Sequence, residues 1–417
     1  MLRVISVALL CFVLLAPTSS ALAAADPTPS PVPSATASSA PAPAPTSVID
    51  FVKARIDTML RTGHADPNYF SLGFLAQIPA AKIDQILAQI TTTLGAYKSV
   101  EFTPQKLVAH FEKGTANILV HFDADYKIDM LLISPGVATL EDALKALQPP
   151  RGAVAYLITE KGRSERAALL ASEPLAVGSA FKLAVLSALR DQINRGSHRW
   201  SEVIPLRQAW KSYPSGILQR WPDGTPRTLA TYAAEMISIS DNTAADALIE
   251  IVGANALKPF AAGNNPFLKT REMFALKSRT GASLRPAYLG ASSAQGRKRV
   301  LERIDALPMP TIPTFDTAPN LPIEWHFSVR ELCRLMDRVS DLPLMSINPG
   351  VADPAAFAHV AYKGGSDLGV LNLTTMVRTR RGTTFCFSAT LNDAAQALDE
   401  KAFEAAYGSA LDKLADL

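Results

Sequence analysis

Three short polar motifs that stand far apart in the sequence constrain the fold of this chain most strongly. The first is Ser179 with Lys182 three residues later, at the start of an apolar run that predicts a helix. On a helix this spacing places hydroxyl and amine on one face, about one turn apart. A free serine is a poor nucleophile, and a buried lysine with positive neighbours can have a pKa low enough to activate it.

The other two motifs add a second hydroxyl and a second amine. They are, in order, Ser240-Asp241-Asn242 and Lys363-Gly364-Gly365-Ser366. Taken alone, Ser240-Asp241-Asn242, the second motif, is an ordinary turn between helices, since Ser, Asp and Asn favour turns. The glycines of the third motif, Gly364 and Gly365, let a substrate lie against a strand edge. Gathered around Ser179, these groups would form a proton relay and an anchor for an anionic substrate, so the fold has to bring them together.

The residues around the motifs predict an α+β domain over 151–417, with an antiparallel sheet and a helical region. Strand-like segments stand at both ends of this range, whereas its middle is helical. The predicted strands are Ala153–Thr159, Arg166–Ala171, Gly369–Val377 and Thr383–Leu391, and the predicted closing helix is Ala394–Leu414. The chain must therefore return to one sheet around a helical middle.

The N-terminal region predicts an exported protein, in the periplasm or secreted. Arg3 and the apolar run of residues 4–16 precede small residues around Ala23, so residues 1–25 have the pattern of a signal peptide. The run is short for a membrane span, and retention as an uncleaved anchor is the alternative. Residues 26–47 are rich in Pro, Ala, Ser and Thr, which predicts a linker in extended conformation. We expect no stable membrane span after cleavage.

Residues 48–135 predict a small α+β domain, followed by a connecting helix within 136–150. Two amphipathic helices come first, and Pro79 and Gly95 flank the second. The predicted strands after them are Tyr97–Thr103, Ala116–Phe122 and Lys127–Ile133. The polar residues near the last turn are interpreted as a hairpin turn rather than a site; they are His121, Asp123 and Asp125.

The charge balance argues against a nucleic-acid-binding protein. The chain has 41 basic and 38 acidic residues, for a net charge of +3, and no basic run contains interleaved aromatic residues. No Cys/His cluster has metal-ligand spacing, so we expect neither a metal nor a cofactor. Cys333 and Cys386 remain outside the leader. An exported pair can form a disulfide, but the preferred interpretation is two separate, small, buried side chains.

The order S-x-x-K, S-D-N, K-[TS]-G resembles active-site-serine β-lactamases and penicillin-binding proteins, class A most closely. The resemblance covers roughly residues 150–417. It implies acyl transfer through Ser179 with Lys182 as base, a proton relay through Ser240, and a substrate anchor at Lys363. The implied substrate-binding and oxyanion residues are Asn242, Gly364, Gly365 and Ser366. The implied ligand is a small β-lactam or a related ester.

The N-terminal domain has a separate, fold-level resemblance. Helices followed by a curved antiparallel sheet are similar to the cone-shaped fold of nuclear transport factor 2 and the steroid isomerases. Joined to a class A-like domain, it resembles the two-domain proteins typified by an enzyme of the clavulanic acid biosynthesis cluster. That resemblance implies esterase activity on esters that carry a β-lactam.

Several features depart from the class A pattern. No E-x-x-L-N motif supplies the carboxylate that positions the deacylating water, and Glu272 is the nearest candidate. Gly364 removes a hydroxyl that the family usually has. Asp367 places a negative charge where a β-lactam carboxylate would lie. A longer segment before the second motif offers candidates for a cavity wall, namely Leu218, Gln219 and Trp221.

These departures leave several functions open. The chain is a weak β-lactamase or an esterase, or a peptidoglycan D,D-peptidase, which would need a channel for a peptide. A further alternative is a β-lactam sensor that is acylated and does not turn over, which the missing glutamate suits. Continued turnover separates the enzymes from the sensor. The sequence leaves the oligomeric state open.

Overall fold

The computed structural model describes residues 48–102, 107–123, 125–136, 139–161, 165–260 and 262–417. The predicted signal peptide and linker lie outside the described residues. The chain divides into two compact units, Met1–Ala138 and Thr139–Leu417. Within the described ranges, no helix has the length and apolar character that crossing a bilayer requires.

The first unit has, in its described part, three helices followed by a four-stranded antiparallel sheet. The helices are α1 (Val48–Thr62), α2 (Leu72–Gln77) and α3 (Ala80–Leu94). The strands, in their order across the sheet, are β1 (Tyr97–Phe102), β2 (Leu107–Phe111), β3 (Gly114–Phe122) and β4 (Ile128–Pro135). Pro79 and Gly95 flank α3 as predicted, and β2 was missed. The likeness to nuclear transport factor 2 stays a prediction.

The polar residues between β3 and β4 form a hairpin turn, as interpreted from the sequence. Asp123 Oδ1 accepts hydrogen bonds from the backbone N–H groups of Asp125 (3.0 Å) and Lys127 (2.8 Å). The exposed His121 lies 2.6 Å from Asp129 on the neighbouring strand. These contacts close the turn and need no ligand.

The second unit builds its sheet from both ends of its sequence. The strands in chain order are β5 (Ala153–Glu160), β6 (Glu165–Leu169), β7 (Leu175–Ala176), β8 (Val203–Pro205), β9 (Pro226–Thr228), β10 (His326–Phe327), β11 (Phe357–Asp367), β12 (Val370–Thr379) and β13 (Thr384–Asn392). The five-stranded antiparallel sheet has the order β11-β12-β13-β5-β6, and β7 pairs with β10 and β8 with β9. This confirms the predicted α+β class. The third motif lies on β11, which is an edge strand.

Helices occupy the middle and both ends of the second unit. They are α4 (Leu140–Ala146), α5 (Lys182–Asn194), α6 (Leu229–Ser238), α7 (Asn242–Val252), α8 (Ala254–Leu257), α9 (Thr270–Leu276), α10 (Arg285–Gly290), α11 (Ala294–Asp305), α12 (Val329–Val339) and α13 (Glu400–Ala415). The closing helix begins at Glu400, so the predicted start at Ala394 is wrong. The side chain of Asp399 accepts the Ala402 N–H and caps the helix there.

A disulfide joins Cys333 of α12 to Cys386 of β13. The preferred interpretation of two separate cysteines is therefore wrong, although both side chains are buried as it required. Sequence spacing could not decide the question, because the pairing depends on how α12 packs on the sheet. The bond ties that helix to the middle strand of five.

Loss of this disulfide should destabilise the second unit. The cysteines are 53 residues apart, and a loop of that length corresponds to about 4 kcal/mol of unfolded-state entropy in the chain-entropy model. We expect the double variant Cys333→Ala, Cys386→Ala to lower the melting temperature of this unit by roughly 10 °C. Alanine avoids burying an unpaired hydroxyl.

Thermal unfolding with and without dithiothreitol checks this expectation. The reductant should lower the melting temperature of the wild type and leave that of the double variant unchanged. A wild type that is insensitive to reductant while its thiols react with a thiol reagent would contradict it.

Candidate functional site

The serine of the first motif lies at the entrance to a helix that aromatic packing holds in place. Residues Gly178–Phe181 form a single 3-10 turn that leads directly into α5. The Phe181 ring is fully buried and stacks on Trp325 with 3.8 Å between ring centroids. Trp325 O also accepts the backbone N–H of Val177 (3.0 Å). The backbone on both sides of Ser179 is thus anchored, and its half-buried hydroxyl faces a cavity.

Lys182 is the hub of a buried hydrogen-bond network. Its Nζ lies 3.2 Å from Ser179 Oγ, as the one-turn spacing predicts. It also lies 2.7 Å from Ser240 O, 3.1 Å from Ser240 Oγ and 2.7 Å from Asn242 Oδ1. The side chain is completely inaccessible to solvent. The first and second motifs therefore meet at one nitrogen atom.

The contacts of Lys182 suit a neutral amine. Burial, and then the charge of Lys363, lower the pKa of Lys182 well below its usual value. A neutral amine has two N–H donors and one lone pair. The carbonyl oxygen of Ser240 and the amide oxygen of Asn242 can only accept, so they take the two N–H groups. The lone pair is then left for a hydroxyl proton, and Ser179 Oγ is within reach.

The second motif is held by its aspartate. Asp241 is fully buried, and its Oδ2 accepts the N–H groups of Ile217 (2.6 Å) and Leu218 (2.9 Å). Its Oδ1 accepts the Ala244 N–H (2.8 Å) and caps α7. Asp241 thus fixes the loop before the second motif by accepting backbone N–H groups. Gly216 is required beside it, because a Cβ there would lie 2.1 Å from Asp241 Oδ2.

The neighbours of Asp241 in the motif have different environments. Ser240 has a φ of 55°, a left-handed conformation that is uncommon outside glycine. Its hydroxyl lies 3.1 Å from both lysine nitrogens. Asn242 donates from Nδ2 to the Tyr213 carbonyl (3.0 Å), which fixes its Oδ1 towards Lys182. Ser240 thus bridges the two amines, whereas Asn242 orients one of them.

The third motif brings its lysine to the same point. Lys363 Nζ lies 3.1 Å from Ser240 Oγ and donates to the Gly364 carbonyl (2.6 Å). The side chain is almost fully buried, and burial lowers the pKa of Lys363 to about 7. The charge of Lys363 in turn contributes to the lowering of the pKa of Lys182. Two positive charges at once are therefore disfavoured around Ser240 Oγ, which lies 3.1 Å from both nitrogens.

The strand that carries Lys363 lies against the nucleophile turn. A Cβ atom at Gly365 would lie 2.4 Å from Ser179 N and 2.2 Å from Val177 O, so only glycine permits this approach. A Cβ at Gly178, where φ is 50°, would lie 3.0 Å from Ser366 N. The N–H groups of Ser179 and Ser366 therefore belong to backbone segments in contact. Paired N–H groups of this kind can hold an oxyanion.

A cavity of about 450 Å³ opens onto these groups. The sequence-predicted site residues that line it are Ser179, Ser240, Asn242, Lys363, Gly364, Gly365 and Ser366. Lys182 lies behind it, in contact with Ser179 and Ser240. The structure thus brings all of the predicted site residues to one place.

Glu272 does not reach this cavity. It is buried at the start of α9, where its Oε2 accepts the Lys269 N–H (2.7 Å), and it lines a different cavity beside α11. The α9 side chain that faces Ser179's cavity is Phe274. The assignment of Glu272 as the candidate deacylating base is therefore wrong, because the capping contact at Lys269 directs its carboxyl away from the cavity of Ser179.

The charge of Asp367 is paired with that of a buried lysine. Lys277 Nζ lies 2.9 Å from Asp367 Oδ2 and also pairs with the buried Glu324. Burial raises the pKa of Glu324 to about 7. The expected repulsion of an anionic ligand by Asp367 is thus offset by a cation 90 residues away in sequence. No local pattern could have shown that pairing.

The segment before the second motif does border the cavity, but through other residues than expected. Pro214 and Ser215 line it, and Ser215 Oγ donates to Ser240 O (2.7 Å). The residues proposed as a wall pack away from it; they are Leu218, Gln219 and Trp221. Tyr362 also lines the cavity and was not predicted from the sequence, although it adjoins Lys363 and lies on the same face of β11 as Gly364.

Part of this chain is similar to a known protein family. Residues 139–304 match a family model described as the beta-lactamase enzyme family. The matched segment begins where the second unit begins and contains the first two motifs. No curated protein matches the chain.

Similar solved structures include a β-lactamase from Sphaerobacter thermophilus, which is 20% identical, covers 66% of this chain and 94% of its own, and gives a TM-score of 0.46. A β-lactamase from Xanthomonas campestris pv. campestris is 17% identical, with coverages of 67% and 99% and a TM-score of 0.46. The protein PBP-A is 15% identical, with coverages of 67% and 96% and a TM-score of 0.45.

Proposed function

We propose that the second unit of this chain is a serine hydrolase domain of the β-lactamase and penicillin-binding type, which works through an acyl-enzyme on Ser179. The main support for this proposal comes from the hydrogen-bond contacts that Lys182 makes. Two of its contacts can only accept hydrogen bonds, so a neutral Lys182 amine has a lone pair free for a hydroxyl proton, and Ser179 Oγ (3.2 Å) and Ser240 Oγ (3.1 Å) are within reach. That is the arrangement of a nucleophile with its general base.

Acylation follows from this arrangement. Lys182 takes the hydroxyl proton as Ser179 Oγ attacks the substrate carbonyl, and the N–H groups of Ser179 and Ser366 hold the developing oxyanion. The bond from the carbonyl carbon to the leaving nitrogen or oxygen then breaks. Ser240 passes a proton to that leaving atom and is reprotonated from Lys182 or Lys363, both 3.1 Å away. The product of this half-reaction is an ester on Ser179.

Hydrolysis of that ester returns the free enzyme by attack of water on the acyl carbon. The substrate we propose is a β-lactam or a related ester, because the cavity is small and Lys363 offers a cation beside the leaving group. Among the described lining residues, the carboxylates are Glu400 and Glu404 of α13, and neither lies between the second and third motifs, where the class A pattern has its glutamate. Deacylation of a stable penicilloyl ester should consequently be slow.

The position of Glu272 also favours a second candidate function. A protein that acylates readily and deacylates slowly behaves as a β-lactam-sensitive D,D-peptidase or as a β-lactam sensor. Glu272 caps α9 and lines another cavity, and none of the described carboxylates between the second and third motifs lines the cavity of Ser179. Turnover on esters with trapping by β-lactams would identify the peptidase, and trapping without any turnover would identify the sensor.

We further propose that the protein is exported from the cytoplasm. The N-terminal sequence pattern supports a signal peptide followed by a linker. The disulfide between Cys333 and Cys386 independently supports an oxidising compartment, since such bonds are rare in reducing cytosol.

The test mixes the purified mature protein with nitrocefin and, separately, with p-nitrophenyl acetate, and follows both turnover and intact mass. We expect each reagent to add its acyl mass to the peptide that carries Ser179, with continued release of p-nitrophenol and slow turnover of nitrocefin. Ser179→Ala should lose both signals, and the exposed Ser172→Ala should keep them. The proposal fails if neither reagent reacts or if the adduct maps to another residue.

A further inference from the structure

The hydroxyl of Tyr362 occupies the space that a side chain at position 364 would fill. Tyr362 and Gly364 are two residues apart on β11 and therefore share one face of the strand. A Cβ atom at Gly364 would lie 2.1 Å from Tyr362 Oη. The hydroxyl that Gly364 lacks is thus replaced, at nearly the same point, by the phenol hydroxyl of Tyr362.

A second glycine holds the ring from its other side. A Cβ at Gly350 would lie 2.6 Å from Tyr362 Cζ and Cε2, and its φ of 62° also favours glycine. Asn348 fixes this contact, because its Oδ1 accepts the Gly350 N–H (2.9 Å) and its Nδ2 donates to Ser238 O (2.9 Å). The ring is therefore seated between two glycines that a side chain would displace.

The hydroxyl so placed is an available donor. Tyr362 lines the cavity of Ser179 next to Lys363, and within the described ranges its Oη makes no hydrogen bond. Burial, and then the charge of Glu404, raise the pKa of Tyr362, so the phenol keeps its proton at physiological pH. Because Tyr362 is half-buried and its hydroxyl lies in the cavity, that hydroxyl can donate to a bound ligand.

We propose that Tyr362 is a specificity-determining residue whose hydroxyl donates a hydrogen bond to a substrate oxygen on the leaving-group side, next to Lys363. The inference rests on the proposed function, because it assigns a role within the same cavity. It goes beyond it by naming the substrate class: an acyl donor that carries a carboxylate or carbonyl oxygen beyond the scissile bond. A bare acetyl ester lacks such a group.

The variant Tyr362→Phe tests this assignment. We expect kcat/KM, or the acylation rate constant, to fall about tenfold or more with nitrocefin, which carries a carboxylate, because a hydrogen bond to a charged acceptor is lost. With p-nitrophenyl acetate the rate should stay within about twofold. The matched control is Tyr156→Phe, a half-buried tyrosine on β5 outside the cavity, which should change neither rate.

A double variant separates this role from packing. Gly364→Ser alone should lose activity, because its side chain meets Tyr362. Tyr362→Ala with Gly364→Ser supplies a hydroxyl from position 364 itself and should recover part of the nitrocefin rate relative to Tyr362→Ala. A merely structural role would not produce that rescue.

Several outcomes would overturn the inference. Equal loss on both reagents, or loss on neither, in Tyr362→Phe would remove it while leaving Ser179 as nucleophile. A wild type that cleaves the acetate but neither reacts with nor is inhibited by nitrocefin would also remove it. A wild type that reacts with neither reagent would remove the proposed function itself.

Discussion

Replacement of Lys182 by methionine should lower the acylation rate of Ser179 about 10³-fold or more. Methionine fills the buried space but has no lone pair to take the hydroxyl proton, and positioned bases contribute about 10²–10⁴ to rate. The contacts from Nζ to Ser240 O and Asn242 Oδ1 would be lost as well. Stopped-flow acylation with p-nitrophenyl acetate measures the effect.

The pH dependence of acylation distinguishes a base from a packing residue. In the wild type the rate should rise with pH as Lys182 loses its proton, since only the neutral amine is a base. It should fall again near pH 7, where Lys363 loses its charge. Lys182→Met should abolish the rising limb and keep the falling one. Lys269→Met, at a lysine outside the cavity, should retain both limbs, and an unchanged profile in Lys182→Met would contradict the assignment.

Replacement of Asp241 by alanine should cost about 4 kcal/mol of the free energy of unfolding. Three backbone N–H groups lose their acceptor in the interior, those of Ile217, Leu218 and Ala244. Each unsatisfied buried donor costs about 1–3 kcal/mol, and relaxation recovers part of the sum. The left-handed Ser240 would then relax, so acylation should fall with stability. Guanidinium unfolding followed by tryptophan fluorescence measures the first effect.

A helix cap of the ordinary kind provides the control. Asp399 is exposed and accepts one N–H, that of Ala402, at the start of α13. Asp399→Ala should cost about 1 kcal/mol and leave acylation unchanged. A cost at Asp241 no larger than that at Asp399 would show that the second motif does not depend on the buried carboxylate.

The chemistry of the site could be predicted from the sequence because it depends on local spacing. Ser179 and Lys182 meet because a helical turn joins them, and the order of motifs implied that distant segments converge. The sheet could be predicted for the same reason, since β5, β12 and β13 are long alternating or apolar segments. These features require no knowledge of tertiary packing.

The features that escaped prediction depend on contacts between distant segments. The disulfide needed the position of α12 on β13, and the neutralisation of Asp367 needed Lys277. Glu272 was the nearest candidate for the missing class A glutamate, yet a capping contact turns it away from the cavity. Tyr362 left one signal, a glycine where a hydroxyl residue is usual, but its meaning depended on Gly350 closing over the ring.

The shared position of the two lysines gives the site a direction for proton flow. Both nitrogens lie 3.1 Å from Ser240 Oγ, so while Lys363 keeps its charge a second charge on Lys182 is disfavoured. When Lys182 receives the serine proton, two ammonium ions face each other across a single hydroxyl in a buried place. Like charges so close repel strongly. Release of one proton through Ser240 to the departing group relieves this repulsion, so acylation itself drives the leaving group's protonation.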